Sequence, residues 1–491
     1  MKFLIDTRLK RIGCSAFIFI IIFVCSLWWT YKEDFSSASP ISDGEIMARV
    51  AVLPLSFFVA TLIVTSLASA TPASAATRNN SDIETLKTKP FIAQVVGVQW
   101  LNPLQRKDYP TEWQLLWLLK IIGPNKDDEM VESKPEKYRT IQAISHIANA
   151  NGGQETFEGF HEKYLRSVMK KYRDVYFSDA KYFYNAHSLE DKTTWRELAG
   201  IHVEYALPVT RFDPAAVAAA TRDCIVSYFD IGNKSFPNAW TRSTPPNVRI
   251  TMGGENAGFT SLSAGLAYLQ ANPSQTVWVM NWDAPSFPND TQLNENMVLL
   301  ILAGPDYKTE RAPLAWLSQP AASKVTDFET KSTLPSRSVQ AWKAAIGKAT
   351  LNAGKKTSDI DFVIHDANST HPRSSDRLAP LAQTISEEIQ ELDFMKKTFN
   401  TSAVLVEMGA GSALTNVVLA IAYANHIGGV VLVAGTTDPD TSVATIVMPP
   451  PIVRPIVPGQ PWFRARAANH IYLPWWGLRN DTKSTVPGYS Q

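Results

Sequence analysis

Residues Val404 to Ala424 read VLVEMGAGSALTNVVLAIAYA. The run Val404-Leu405-Val406-Glu407-Met408 is short and mostly apolar, which predicts a strand. Gly409-Ala410-Gly411 predicts a tight turn, because glycine bends the backbone sharply and lets a helix approach a sheet closely. Ser412 to Ala424 runs on as a long apolar helix. Strand, glycine turn and buried helix form half of a β-α unit. Such a junction lies at the carboxyl end of a strand, where α/β folds usually place ligands. What this junction holds, and what it lacks, therefore weighs most on function.

Working outward, GGVVLVAG (Gly428 to Gly435) and SVATIVM (Ser442 to Met448) predict two further strands. Before the junction, DIDFVIHDANS predicts a strand ending at His365, followed by a helix over 378–397. Farther back, Val248 to Met252 predicts a strand, and Gly253-Gly254 a turn. A helix FTSLSAGLAYLQA, the strand TVWVMNWDA and the buried strand NENMVLLILAGP follow. Each half thus offers a strand, a glycine turn, a buried helix and another apolar strand, the pattern of two similar α/β lobes. Strand FIAQVVGVQWL, a helix starting near Pro110-Thr111, a charged and aromatic helix from Phe157 and an Ala-rich helix over 213–228 complete the first half. Pro214 sits in the first turn of that last helix, where proline is preferred. From Asp306 to about Lys355 the chain is polar, with one helix around Val339 to Ala349, and reads as a connector. The expected division is 1–76 membrane anchor or signal region, 77–305 first lobe, 306–355 connector, and 356–491 second lobe with a Pro/Trp-rich tail.

The chain has 491 residues, 45% apolar and 19% charged, enough for a large core. Net charge is +1, which gives no electrostatic reason to expect nucleic acid. Ile12 to Trp29 and Val50 to Ala70 carry no charge except at their flanks and are long enough to span a bilayer. Four Lys/Arg precede the first stretch, Lys32 and Arg49 lie between the two, and Arg78, Lys87 and Lys89 follow the second. The positive-inside rule then predicts a hairpin at the inner membrane, with the globular part facing the cytoplasm. The rival is a start near Met47, a signal peptide cleaved after Ala73-Ser74-Ala75, and export to the periplasm. Of three cysteines, Cys14 and Cys25 lie in the first apolar stretch; Cys224 alone remains, so no intrachain disulfide is expected in the globular part.

Several motifs carry only part of a chemistry. Ser261 and Ser263 lie in GFTSLSAG, but only Ser263 has a glycine two residues after it and neither completes a nucleophile elbow. GAGSAL at Gly409 lacks the third glycine of a dinucleotide fingerprint, and no cofactor is expected. His365, Asp366 and His371 have no recognised metal-ligand spacing, and no metal is expected.

DIDFVIHDANSTHPRSSD, VLVEMGAGSALTNVVLA and ENAGFTSLSAGLAYLQANPSQTVWVMNWD resemble segments of the thiolase-like fold of β-ketoacyl synthases. The resemblance implies an α/β protein with two thiolase-like lobes of mixed sheet covered by helices, here preceded by the two-span membrane hairpin. It places His365 where that family has its first catalytic histidine. Ala410 stands where the second histidine follows a glycine, and Asn256 lies near the nucleophilic cysteine's place. Condensation needs a thiolate to hold the acyl group and histidines to stabilise the enolate. Two of the three positions lack that chemistry, so these sites read as vestigial.

GVQWLNPLQRKDYPTEWQLLWLL together with ITMGGENAGFTSLSAGLAYL resembles the type VI lipase adaptor family of Gram-negative bacteria. That resemblance implies a non-catalytic protein that binds a lipase effector and hands it to the spike protein of a type VI secretion system. Trp113, Trp475 and Trp476 are the candidate partner contacts, because aromatic anchors dominate interfaces. The alternative is an acyl-transferring or ester-hydrolysing enzyme using His365 with Ser261 or Ser263.

Overall fold

The computed structural model describes residues 90–101, 111–121, 156–178, 201–229, 246–288, 294–307, 312–331, 333–367, 374–453 and 455. The chain divides into a unit of Met1–Lys87 and a unit of Thr88–Gln491. The first unit, with the expected membrane hairpin and signal cleavage site, lies outside the described residues, as do His371, Trp475 and Trp476. Among the described residues no helix is long and apolar enough to cross a membrane.

Among the described residues the second unit is built on one eleven-stranded mixed sheet. In chain order its elements are β1 (Ile92–Leu101), α1 (Thr111–Leu118), α2 (Phe157–Ser178), β2 (His202–Pro208), α3 (Pro214–Tyr228), β3 (Asn247–Gly253), α4 (Ala257–Ala271), β4 (Thr276–Asp283) and β5 (Asn296–Ala303). Then follow β6 (Ala315–Ser318), β7 (Ala321–Lys324), α5 (Arg337–Asn352), β8 (Phe362–His365), α6 (Ser374–Glu388), β9 (Thr398–Asn400), α7 (Ser402–Leu405), α8 (Ser412–Ile427), β10 (Val431–Gly435) and β11 (Thr441–Met448). Asp213 caps α3 by accepting from the Ala215 N–H at 3.0 Å, and Ser336 caps α5 by accepting from Val339 at 3.3 Å. Both satisfy N–H groups that the first helical turn leaves open.

The sheet order is β3-β2-β4-β5-β1-β6-β11-β10-β8-β9, with β7 on β11. Read from the central β1/β6 pair outward, the two halves match strand for strand. In the first half β3, β2 and β4 are parallel and β5 is antiparallel. In the second β9, β8 and β10 are parallel and β11 is antiparallel. The helices follow the same rule: α3 and α4 flank β3 in sequence as α6 and α8 flank β9. The echo seen in the sequence is a repeated β-α-β-α-β-β arrangement.

Side-chain alternation then fixes the layers. On β4, Val277 and Val279 face a core shared with α4 and α8, while Trp278, Met280 and Trp282 face α2 and α3. On β10, Val431 and Val433 face the shared core, while Leu432 and Ala434 face α5 and α6. Helices therefore lie outside each half, and α4 and α8 lie between the halves. That placement explains why α8 has no polar face: every residue from Ser412 to His426 is buried.

The structure departs from the sequence reading in places. Val404 to Met408 is not a strand. The strand is β9, which ends at Asn400, and the chain then turns into the short α7. Thr401 makes the switch: its N–H donates to the His365 carbonyl at 2.9 Å, and the Leu405 N–H returns to the Thr401 carbonyl at 2.8 Å. Leu405 and Met408 are buried and Val406 is 41% exposed, so the apolar run packs as an irregular segment. The helix expected over 378–397 begins at Ser374 and ends at Glu388. Stretch 306–355, expected to connect two halves, supplies β6, β7 and α5 and so completes the sheet and its outer layer. Strand β2 went unread because His202 and Glu204 interrupt its apolar pattern; all seven of its residues are buried.

Candidate functional site

The carboxyl ends of β4 and β8 meet the amino ends of α4 and α8. Asp283 closes β4. Its Oδ1 accepts from the Ala284 N–H at 2.7 Å and its Oδ2 from the Ala410 N–H at 2.9 Å. Burial raises its pKa to about 6 and the nearby Glu255 adds to the rise, opposed by the two N–H donors and Arg211. Gly409 has φ +51°, and a Cβ there would come within 2.2 Å of Asp283 Oδ2. The turn can cross the carboxylate only because position 409 has no side chain.

Asp366 plays the matching part after β8. It accepts from Ser412 Oγ at 2.5 Å, from the Thr436 N–H at 2.8 Å and from Thr436 Oγ1 at 2.9 Å. Burial raises its pKa, while those three donors pull it down. Two buried carboxylates thus hold the start of α8, where the helix dipole favours negative charge. Thr415 Oγ1 lies 2.8 Å from Asn296 Oδ1, and the Thr401 hydroxyl donates to Asn416 Oδ1 at 2.7 Å.

The three positions that the sequence resemblance singled out, Ala410, Asn256 and His365, are drawn toward this place. Ala410 is fully buried against Ala206 and Ala257, at the first turn of α4. Asn256 is the N-cap of α4 but makes no side-chain cap. Its Nδ2 faces Asp438 Oδ2 at 3.5 Å and its Oδ1 is buried without a partner. It lies against Gly435, where a Cβ would meet Asn256 Oδ1 at 2.6 Å, and Gly435 adjoins the Thr436 held by Asp366. His365 ends β8, buried, with Nδ1 accepting from the Ala367 N–H at 3.3 Å and its ring parallel to that of Phe394. Burial lowers its pKa to about 4, so the imidazole is neutral at pH 7. A carboxamide at Asn256 supplies no thiolate and a methyl at Ala410 no N–H. What the geometry does provide is a polar clamp on the buried helix.

Other expected residues sit apart. Ser261 is fully buried with no partner for its hydroxyl, and Ser263 Oγ accepts from Gln319 Nε2 at 2.5 Å. Trp113 lies in α1, but its side chain is outside the described ones. Among the described residues no group of three or more His, Cys, Asp and Glu is placed to hold a metal. Cys224 is on α3, and burial pushes its thiol up to about 12. Sequence reasoning missed Asp283, although a carboxylate closing the apolar run WVMNW was a usable signal. It also missed Asn296, whose role depends on the pairing of β5 with β4.

Residues 314–449 match the family model described as type VI lipase adapter protein Tla3, C-terminal. That segment is similar to a Tla3 C-terminal domain. It takes in β6 through β11 with α5 to α8, the whole second half of the repeated arrangement. The adaptor resemblance read in Gly97 to Leu119 and Ile250 to Leu269 lies in the first half, outside the matched segment. No curated protein matches the sequence. Among solved structures, an oxazolomycin ketosynthase domain of Streptomyces albus is 11% identical, covering 76% of this chain and 100% of its own, with a TM-score of 0.43. The ketosynthase from module 6 of the bacillaene synthase of Bacillus subtilis is 12% identical, covering 73% and 72%, with a TM-score of 0.46. The ishigamide ketosynthase/chain length factor is 12% identical, covering 72% and 99%, with a TM-score of 0.43.

Proposed function

We propose that this protein is a non-catalytic adaptor that binds a type VI lipase effector and delivers it to the spike protein. The Tla3 match over 314–449 carries the reading. The resemblance to β-ketoacyl synthases is in keeping with it, since that resemblance sets Asn256 and Ala410 where condensation needs a thiol and an imidazole. The test is co-purification of the full chain, in detergent, with a tagged type VI lipase effector and its spike protein. A stoichiometric complex of chain and lipase is expected; a folded chain that captures neither protein overturns the reading. Turnover of acyl thioesters or esters that His365→Ala abolishes would instead establish the enzyme alternative.

The proposal places the globular unit on the cytoplasmic side of the inner membrane, tethered by the two apolar stretches before residue 77. Reporter enzymes fused after Gln491 distinguish the sides. Activity of a cytoplasm-dependent reporter is expected, and activity of a periplasm-dependent one would support export.

A further inference from the structure

A cavity of about 640 Å³ lies between α5, α6 and the loop after β10. All its lining residues fall within the segment 314–449. Its apolar walls are Trp342, Pro380 and Pro439; its charged groups are Asp376, Arg377 and Asp438. Thr436 joins it to the clamp described above, through Asp366.

The charged groups are not equally satisfied. Asp438 Oδ1 accepts from the Asp440 N–H at 2.8 Å, and its Oδ2 faces the Asn256 amide. Asp376 is exposed to water. Arg377 is half-buried, and its Nε is buried with no hydrogen-bond partner. Among the described residues Arg377 makes no ion pair, and a carboxylate matches a guanidinium better than any neutral acceptor. Beside it, the indole of Trp342 and the two proline rings offer an apolar surface.

The geometry points to this cavity as the effector-docking site, receiving an acidic side chain of the lipase at Arg377 and its apolar neighbour against Trp342, Pro380 and Pro439. The inference rests on the adaptor reading. A small carboxylate offers the same anionic chemistry, and the experiment separates the two.

Affinity of the full chain for the lipase captured above is measured for wild type, Arg377→Glu, Ser338→Tyr and Arg166→Glu. Arg377→Glu is expected to lose about 30-fold or more, the scale of an interface hot spot. Ser338→Tyr, which fills the cavity without changing charge, is expected to lose about 10-fold. Arg166→Glu, exposed on α2 in the other half, is expected to bind as wild type. Reversing the partner carboxylate of the lipase to lysine should restore binding to Arg377→Glu. Thermal melting shows that each variant is folded. Equal lipase affinity in all variants overturns the docking site and leaves the adaptor reading standing; no binding by wild type overturns both. Saturable binding of sodium succinate that Arg377→Glu abolishes, with lipase affinity unchanged, assigns the cavity to a small anion and also overturns the proposal.

Discussion

Asp283 carries two backbone N–H groups and is buried, so its charge is both used and penalised. Its pKa rises from 3.8 to about 6 on folding. Below pH 4 the carboxyl is protonated in folded and unfolded chains alike, and it favours neither. Between pH 4 and 6 the unfolded chain ionises first, so this group lowers stability as pH rises, by about 3 kcal/mol in all. Asp283→Asn removes the titration and turns an amide N–H toward one of the two donors, which costs about 1–3 kcal/mol independently of pH. Urea midpoints for wild type and Asp283→Asn, taken from pH 4 to pH 7, are therefore expected to converge as pH rises. Parallel curves would show that the carboxylate does not hold its proton in the fold.

Among the elements, α4 and α8 decide how closely the two halves approach. Gly258 on α4 faces Ala413 on α8, and a Cβ there would stand 2.9 Å from the Ala413 Cβ. Gly258→Val is expected to lower stability by about 1–3 kcal/mol by forcing this crossing apart. Gly347, on the exposed face of α5, would meet nothing within 4 Å. Gly347→Ala is expected to raise stability by about 0.5–1 kcal/mol, the ordinary helix preference for alanine. Chemical denaturation of both variants checks the pair, and a loss at position 347 equal to that at 258 would contradict the close crossing. The misread strand at Val404 belongs at this scale too. Its residues have strand propensity, but Thr401 binds the end of β8, and the chain must turn there to bring α8 between the sheet halves.

At the scale of the molecule, the halves share strands as well as helices. β1 pairs with β6 across the centre, and the core that takes in α4 and α8 receives side chains from both halves. They are expected to unfold together. Amide exchange protection in β4 and β10, followed against urea, should vanish at one concentration. Loss in one half about 1 M earlier than in the other would show that the shared core does not couple them.

Local pattern was enough to determine the long apolar strands, the Ala-rich α3 and the buried α8, because periodicity and glycine turns are written in neighbouring residues. Tertiary structure decided that β9 precedes the glycine turn, that β6, β7 and α5 belong to the body, and that β2, with its His202 and Glu204, is a buried strand. It also decided that Asp283 and Asp366, 83 positions apart, grip the same helix, and that Arg377 lines a cavity with Trp342. Those facts depend on which strands become neighbours. Such pairing is set by packing between residues far apart in the chain, which no short window of sequence contains.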